Sequence, residues 1–293
     1  TPGWMDVHLR AAFGWLKTLD AELCHYKICS TFDSAPHVGN IGRAIEIGRA
    51  VFGEATVPLI VGAPQIRRYT AFGDLFAAYQ GRNYRIDRHP VMARHPVTPM
   101  NEANLLLHLS RQTTLSSTLI DMVALLADAQ PENADILLVD VLDAATQVAA
   151  GALLWNRLRE RSRFVCGSSG LEYALIPTWR DQGLVGEKPA FPAAGPVDRI
   201  AVVSGSVSPT TERQIRHALE NGFGGVTLDP LVLSGENNAT AVAAAVEAGL
   251  RILQEGRSVV LYTALGPAAD RGGELDSAAG ARHRLGRALG RIQ

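Results

Sequence analysis

Between Lys27 and Arg43 the chain reads KICSTFDSAPHVGNIGR, gathering a lysine, an aspartate, several hydroxyls and two glycines. A simple turn needs one glycine and one aspartate or asparagine, so this loop is equipped to hold a ligand. Lys27 can pair a carboxylate, and Ser30, Thr31, Ser34 and Asn40 can bind hydroxyls. Asp33 can accept the proton of an alcohol about to attack. The set suits a hydroxylated acid. An Asx turn at Asp33 beside a solvated Lys27 is the structural alternative.

A second polar stretch, VVSGSVSPTTERQ, begins at Val202. Gly205 lets the backbone approach a ligand closely, while Ser204, Ser206, Ser208, Thr210 and Thr211 add hydroxyl donors, a composition suited to phosphate. Neither GxxxxGK[ST] nor GxGxxG is present, and helix capping by Ser208 or Thr210 accounts for the same residues. The GSSG turn starting at Gly167 reads equally as an anion cradle or as a tight packing turn. Arg67, Arg68, Arg82, Arg85, Arg88 and Arg94, with His89 and His95, make the segment from Gln65 to Thr98 locally basic. HPVMARHP has no helical i, i+4 histidine pair and a proline follows each histidine, so no metal site of protein ligands is expected.

The elements that must position these groups alternate. Helical spacing from Trp4 to Glu22 is followed by strand CHYKIC, helix GRAIEIGRAVFG ended by Gly53, and buried strand VPLIVGAP. The basic segment reads as an excursion over the active face with a hairpin around QGRNYR, and NEANLLLHLSRQ as a helix. Strands STLID, ADILLVDVLD and RFVCG, with the helices after the last two, complete a parallel α/β unit. The run from Gly183 to Asp198 mixes prolines with small residues and is read as a linker. Beyond it three strands, in RIAVVSG, GGVTLD and SVVLYTALGP, alternate with helices. The expected fold is α/β with two domains, residues 1–190 and 199–293, each a mostly parallel sheet with flanking helices.

Composition narrows the partners. Of 293 residues 47% are apolar and 19% charged, which is ordinary for a soluble globular protein of about two domains. The 28 basic and 29 acidic residues nearly cancel, so no overall field recruits nucleic acid or a membrane surface. No apolar run approaches the roughly 20 residues of a membrane span, and no secretion signal opens the sequence, so the cytosol is the expected compartment. Cys24, Cys29 and Cys166 form no CxxC pair and are expected to be buried structural thiols. The start without methionine, inside a helical pattern, suggests a piece of a longer product.

Taken in order, KICSTFDS with GNIG, RYTAFGDLF, RHPVTPM, GSSGL and VVSGSVSPTTERQ resemble the four-carbon acid sugar kinase family, which includes 3-oxotetronate, D-threonate and D-erythronate kinases. The resemblance implies an N-terminal acid-sugar domain and a C-terminal nucleotide domain, with ATP, carrying Mg²⁺, phosphorylating the terminal hydroxyl of a four-carbon acid across the cleft. Carried over by position, Lys27, Ser30, Thr31, Asp33, Ser34, Asn40 and Arg68 bind the acid, with Asp33 as base or orienting group. Ser204, Gly205, Ser206, Ser208 and, as a weaker match, Gly266 bind the nucleotide. Three departures stand out: the family's DDFTGA-type strand end and GG(D/E)TSG loop are missing, and position 67 is Arg where many members have Gly. The resemblance therefore casts the chain as the middle of a kinase, with a non-catalytic sugar-acid binding module or truncated member as the alternative. A homodimer is expected, with domain exchange open to it through the linker.

Overall fold

The computed structural model describes residues 1–276 and 280–293. By its internal contacts the chain divides into two compact units, Thr1–Pro189 and Ala190–Gln293.

The first unit opens with helix α1 (Pro2–Lys17), strand β1 (Cys24–Lys27), helix α2 (Ile41–Phe52) and strand β2 (Val57–Ile60). A meander of β3 (Arg68–Ala71), β4 (Asp74–Tyr79) and β5 (Arg82–Arg85) follows. Then come α3 (Leu105–Leu109), β6 (Ser117–Ile120), α4 (Met122–Leu126), β7 (Ile136–Val139), α5 (Ala144–Leu153), β8 (Phe164–Gly167) and α6 (Ser169–Asp181). Five strands form one parallel sheet in the order β1-β8-β2-β7-β6.

The three central strands of that sheet, β8, β2 and β7, are buried on both faces, which their sequence states residue by residue. In β7, Ile136 and Leu138 join the core that contains Phe13, Ile45 and Phe164, whereas Leu137 and Val139 join the core around Leu154, Trp155 and Leu175. Period-two alternation between two apolar cores is the pattern of a parallel strand covered by helices on each side. α1 and α2 supply one cover, α5 and α6 the other. Helix α2 is bounded as its residues dictate: the Asn40 side chain accepts the Arg43 N–H, and Gly53 closes it in the left-handed conformation (φ 80°).

Several local expectations shift. Helix α1 ends at Lys17, not Glu22, and only Leu105–Leu109 of NEANLLLHLSRQ is helical. After α5 the backbone widens into a π-helical turn, Leu154–Leu158. The excursion holds an antiparallel three-stranded sheet in the order β3-β4-β5, of which only the β4–β5 hairpin is read from sequence. Cys166 is buried, but Cys24 is only half-buried and Cys29 is exposed, because β1 is an edge strand and ends at Lys27, leaving Cys29 in the loop.

The second unit contains β9 (Ala201–Ser204), α7 (Pro209–Glu220), β10 (Gly224–Thr227), α8 (Pro230–Ser234), α9 (Ala239–Gln254), β11 (Val259–Tyr262), α10 (Gly272–Asp276) and α11 (Ala281–Ile292). Its three strands are parallel in the order β10-β11-β9, over a core that includes Leu228, Leu233, Val259, Leu261 and Ala288.

Helices α5 and α6 cross at Gly151, where an added Cβ would lie 1.8 Å from the Ala174 carbonyl oxygen. Backbone cannot retreat as a flexible side chain can. Gly151→Ala is therefore expected to cost about 1–3 kcal/mol, read as a lower urea midpoint at unchanged m-value.

Candidate functional site

The loop after β1 lies at the carboxyl edge of the first unit's sheet, where parallel α/β folds place ligands. Phe32 is wholly buried and holds a left-handed backbone (φ 55°), a conformation costly for a bulky residue. Its ring packs edge-on to His108 at 5.9 Å, and the turn it makes presents Asp33. Thr31 donates its hydroxyl to Asp33 Oδ1 (2.5 Å) and lies 2.9 Å from Cys29 Sγ. Thr98, brought in from the excursion, donates to Asp33 Oδ2 (2.9 Å). Both carboxylate oxygens are thus held by buried hydroxyls, while Asp33 itself stays half-buried.

Thr98 is held in its turn. His95 Nδ1 accepts the Thr98 backbone N–H (3.1 Å) and lies 3.0 Å from its hydroxyl. The same local design occurs six residues earlier, where His89 Nδ1 accepts the backbone N–H groups of Val91 and Met92, each at 3.2 Å. Both histidines open a His-Pro turn by capping the third residue on.

Arg68 begins β3, and its Nη1 donates to the carbonyls of Ile66 and Arg67 (3.1 Å each). Burial lowers its guanidinium pKa, and its Nε is buried without a hydrogen-bond partner among the described residues. Its neighbour Arg67 occupies a left-handed position (φ 55°) that glycine adopts without strain, which accounts physically for a glycine preference there.

Two of the proposed ligand-binding groups are committed inward. Ser34 is buried, donates to the Phe32 carbonyl (3.0 Å), accepts from Gln112 Nε2 (2.8 Å) and lies 3.0 Å from His108 Nε2. Gln112 Oε1 accepts the backbone N–H groups of Ile41 and Gly42, and Asn40 that of Arg43. The first turn of α2 is thereby closed by side chains rather than left open to an anion. Burial, then nearby Arg111, holds the His108 pKa below its ordinary value. Lys27 is exposed and its ammonium donates to the Ile28 carbonyl (2.9 Å); Ser30 is half-buried.

The GSSG turn proves to be a packing turn. Ser168 is buried, donates to the Val61 carbonyl (2.7 Å) and caps Gly170 N–H (2.9 Å), and a Cβ on Gly170 would meet the Gly62 oxygen at 1.8 Å.

Asp140, at the carboxyl end of β7, escapes sequence reasoning altogether. It is fully buried and accepts the Gly73 N–H (3.2 Å), clamping the β3–β4 turn whose central residues Phe72 and Gly73 both have positive φ. Burial pushes its carboxyl up to about 6, against the opposing N–H groups of Gly73 and Phe72 and the Thr70 hydroxyl.

In the second unit, β9 leads into the serine loop. Ser208 caps α7 by accepting the Thr210 N–H (3.2 Å), Ser206 and Thr211 hydroxyls bond each other (2.9 Å), and Ser204 Oγ accepts the Ser206 N–H (3.3 Å). Gly205 is exposed. Gly266 has φ 90° and ψ −179°, a region open essentially to glycine, and a Cβ there would lie 2.0 Å from the carboxylate of Glu212 in α7. Gly266 therefore packs against the first turn of α7, the helix that the serine loop opens. Beside them a cavity of about 450 Å³, lined by Thr227, Asp229, Thr263, Asp270 and Arg271 among others, opens at the carboxyl ends of β10 and β11. Thr263 ties the two regions, since its N–H donates to the Ser204 carbonyl (3.0 Å). Among the described residues no three His, Cys, Asp or Glu side chains gather as a metal-ligand set.

Residues 1–175 match the model of a sugar-binding N-terminal domain, and residues 201–293 that of a nucleotide-binding C-terminal domain. The chain belongs to the four-carbon acid sugar kinase family. Within the family it is 46% identical over 301 residues to a 3-oxo-isoapionate kinase of Paraburkholderia graminis, covering 98% of this chain and 64% of that protein. A 3-oxo-tetronate kinase of Cupriavidus necator is 29% identical over 263 residues, covering 88% of this chain and 58% of the relative. The chain thus spans about 60% of the length of these curated relatives. A Salmonella typhimurium LT2 protein of known structure shares the fold with TM-score 0.64 at 22% identity, covering 97% of this chain and 68% of its own. No helix among the described residues is long and apolar enough to cross a membrane.

The Asp140 carboxyl gives a signed test. The unfolded chain holds that proton only below about pH 4, whereas the folded chain, with its carboxyl near 6, holds it further up. Between these values the native state binds more protons, so its stability falls as pH rises. Melting temperatures of the protein and of Asp140→Asn, measured from pH 4 to 8, should diverge through this window, with the wild type losing ground. Parallel curves would place the ionisation elsewhere.

Proposed function

We propose that the protein phosphorylates a primary hydroxyl of a small oxo sugar acid, of the class named in its 3-oxo-isoapionate and 3-oxo-tetronate kinase relatives, with ATP as donor. The observation that carries this reading lies in the sugar-binding half, where the Thr31 and Thr98 hydroxyls hold both carboxylate oxygens of Asp33 in the loop at the carboxyl edge of the sheet. Arg68, with Lys27, supplies charge for the acid's carboxylate, Ser30 supplies a hydroxyl contact, and Thr31 acts through Asp33. Ser34 and Asn40 act on the same site indirectly, by fixing the loop and the start of α2.

Asp33 orients the acceptor hydroxyl and takes its proton as the oxygen attacks the terminal phosphorus. In phosphoryl transfer such positioning and charge neutralisation supply most of the rate. In the nucleotide-binding half, Ser204, Gly205, Ser206 and Ser208 offer the phosphates hydroxyls and backbone N–H groups, and Gly266 keeps the adjoining backbone free of a side chain. The residues fit a phosphate chain: small, neutral and grouped before the 12-residue helix α7. Mg²⁺ arrives on the nucleotide. A cytoplasmic homodimer completes the proposal, and a light-scattering mass of one chain would remove the dimer.

The full-length protein, screened by coupled ADP release against 3-oxo-isoapionate, 3-oxo-tetronate, threonate and erythronate, should release ADP with at least one. Asp33→Asn should lower kcat on that acid by about 10²–10⁴-fold, the usual worth of a positioned proton acceptor. Calorimetric uptake of an acid with no ADP release from any would instead make the protein a sugar-acid binder.

A further inference from the structure

We propose that Thr98 is a positioning residue for Asp33, itself locked by His95, so that the acceptor hydroxyl meets a carboxylate fixed in one orientation and able to change its protonation without rearrangement. This rests on the kinase reading of Asp33.

A carboxyl group turns broadly about its last torsion unless something holds both oxygens. Thr31 holds Oδ1 from within the loop, at a separation of two residues. Thr98 holds Oδ2 from 65 residues away. Thr98 is buried, so water does not compete for its hydroxyl.

The position of His95 explains how Thr98 stays in register in both states of the carboxyl. Because Nδ1 accepts the Thr98 N–H, it carries a lone pair and the proton of the neutral ring sits on Nε2. That lone pair also faces the Thr98 hydroxyl at 3.0 Å. While Asp33 is ionised, the hydroxyl hydrogen goes to Oδ2, the charge-assisted bond being the stronger. When the acceptor alcohol gives its proton to Asp33, its oxygen bonds to the terminal phosphorus as the phosphorus–oxygen bond to ADP breaks, and the new O–H of the carboxyl lies on a lone pair facing the substrate. Oδ2 and Oδ1 keep the lone pairs that accept from Thr98 and Thr31. The bonds that hold the carboxyl are therefore the same before and after the proton arrives.

The His89 turn acts as an internal control. His89-Pro90-Val91-Met92 makes the same Nδ1 cap as His95-Pro96-Val97-Thr98 with a methionine in the fourth position. The turn itself asks for no hydroxyl. The one at Thr98 is explained by Asp33.

The test uses the full-length protein and whichever acid it turns over best. Thr98→Val keeps the shape and removes the hydroxyl; kcat should fall by about 100-fold, the scale of a misplaced reacting group, with the KM for the acid within about threefold. Thr98→Ser should recover kcat to within about fivefold of the wild type. Groups acting as a unit are not additive, so Thr98→Val should slow Asp33→Asn by less than about twofold. A wild-type kcat in Thr98→Val, or a loss that multiplies fully with that of Asp33→Asn, overturns the inference. If circular dichroism shows Thr98→Val unfolded, Thr98→Cys, with its weak S–H donor, should lose more than about tenfold in kcat, and a wild-type value there overturns it equally. A wild type that phosphorylates no acid overturns the kinase reading, and this inference with it.

Discussion

A parallel sheet buried on both faces leaves its chemistry one place to go. In the first unit β2, β7 and β8 have no solvent-facing side, since every residue of these strands is buried. Polar groups can therefore act only beyond the strand ends. The loop after β1 meets that constraint, as do Thr70 and Asp140 on the strands or turns nearby. So does the serine loop after β9 in the second unit.

The same constraint forces a division of labour within the polar loop. An unsatisfied buried donor or acceptor costs about 1–3 kcal/mol, so a loop of this composition cannot point every group at a ligand. Ser34, Asn40, Gln112 and His108 are spent on closing the start of α2 and fixing the loop floor. Thr31 and Thr98 are spent on Asp33. The left-handed backbones at Phe32 and Arg67 belong to the same account: each strains a residue that flanks one predicted to touch substrate, and each is held by its surroundings.

Much of this was legible in the residues. Alternating apolar strands and capped helices, such as Asn40 to Gly53, follow from local periodicity and local hydrogen bonding, and both are written in neighbouring residues. The composition of KICSTFDS announced a polar site, but not which of its groups face outward, because burial of Ser34 depends on His108 and Gln112, more than 70 residues away. His95 and Thr98 escape sequence reasoning for a related reason. Tested as metal ligands, the histidines fail on spacing; the Pro-flanked HPVT turn, which caps its own backbone, was the available signal. Asp140 gave none, since an aspartate ending an apolar strand reads as an ordinary loop start. The meander strands are short, arginine-rich and partly exposed, so they carry little alternation to read.

The two halves differ in how much work a ligand must do on arrival. In the sugar-binding half the Asp33 carboxylate is held on both oxygens, and the buried Arg68 Nε has no hydrogen-bond partner among the described residues. In the nucleotide-binding half the hydroxyls of Ser206 and Thr211 satisfy each other, and Ser208 is occupied by its own helix. On the proposed reading of this loop, phosphate oxygens would displace neutral hydrogen bonds of about 1 kcal/mol each and offer charge-assisted ones of roughly twice the strength in return. Exchange of this kind favours a loop that stays satisfied when empty and opens only to a polyanion.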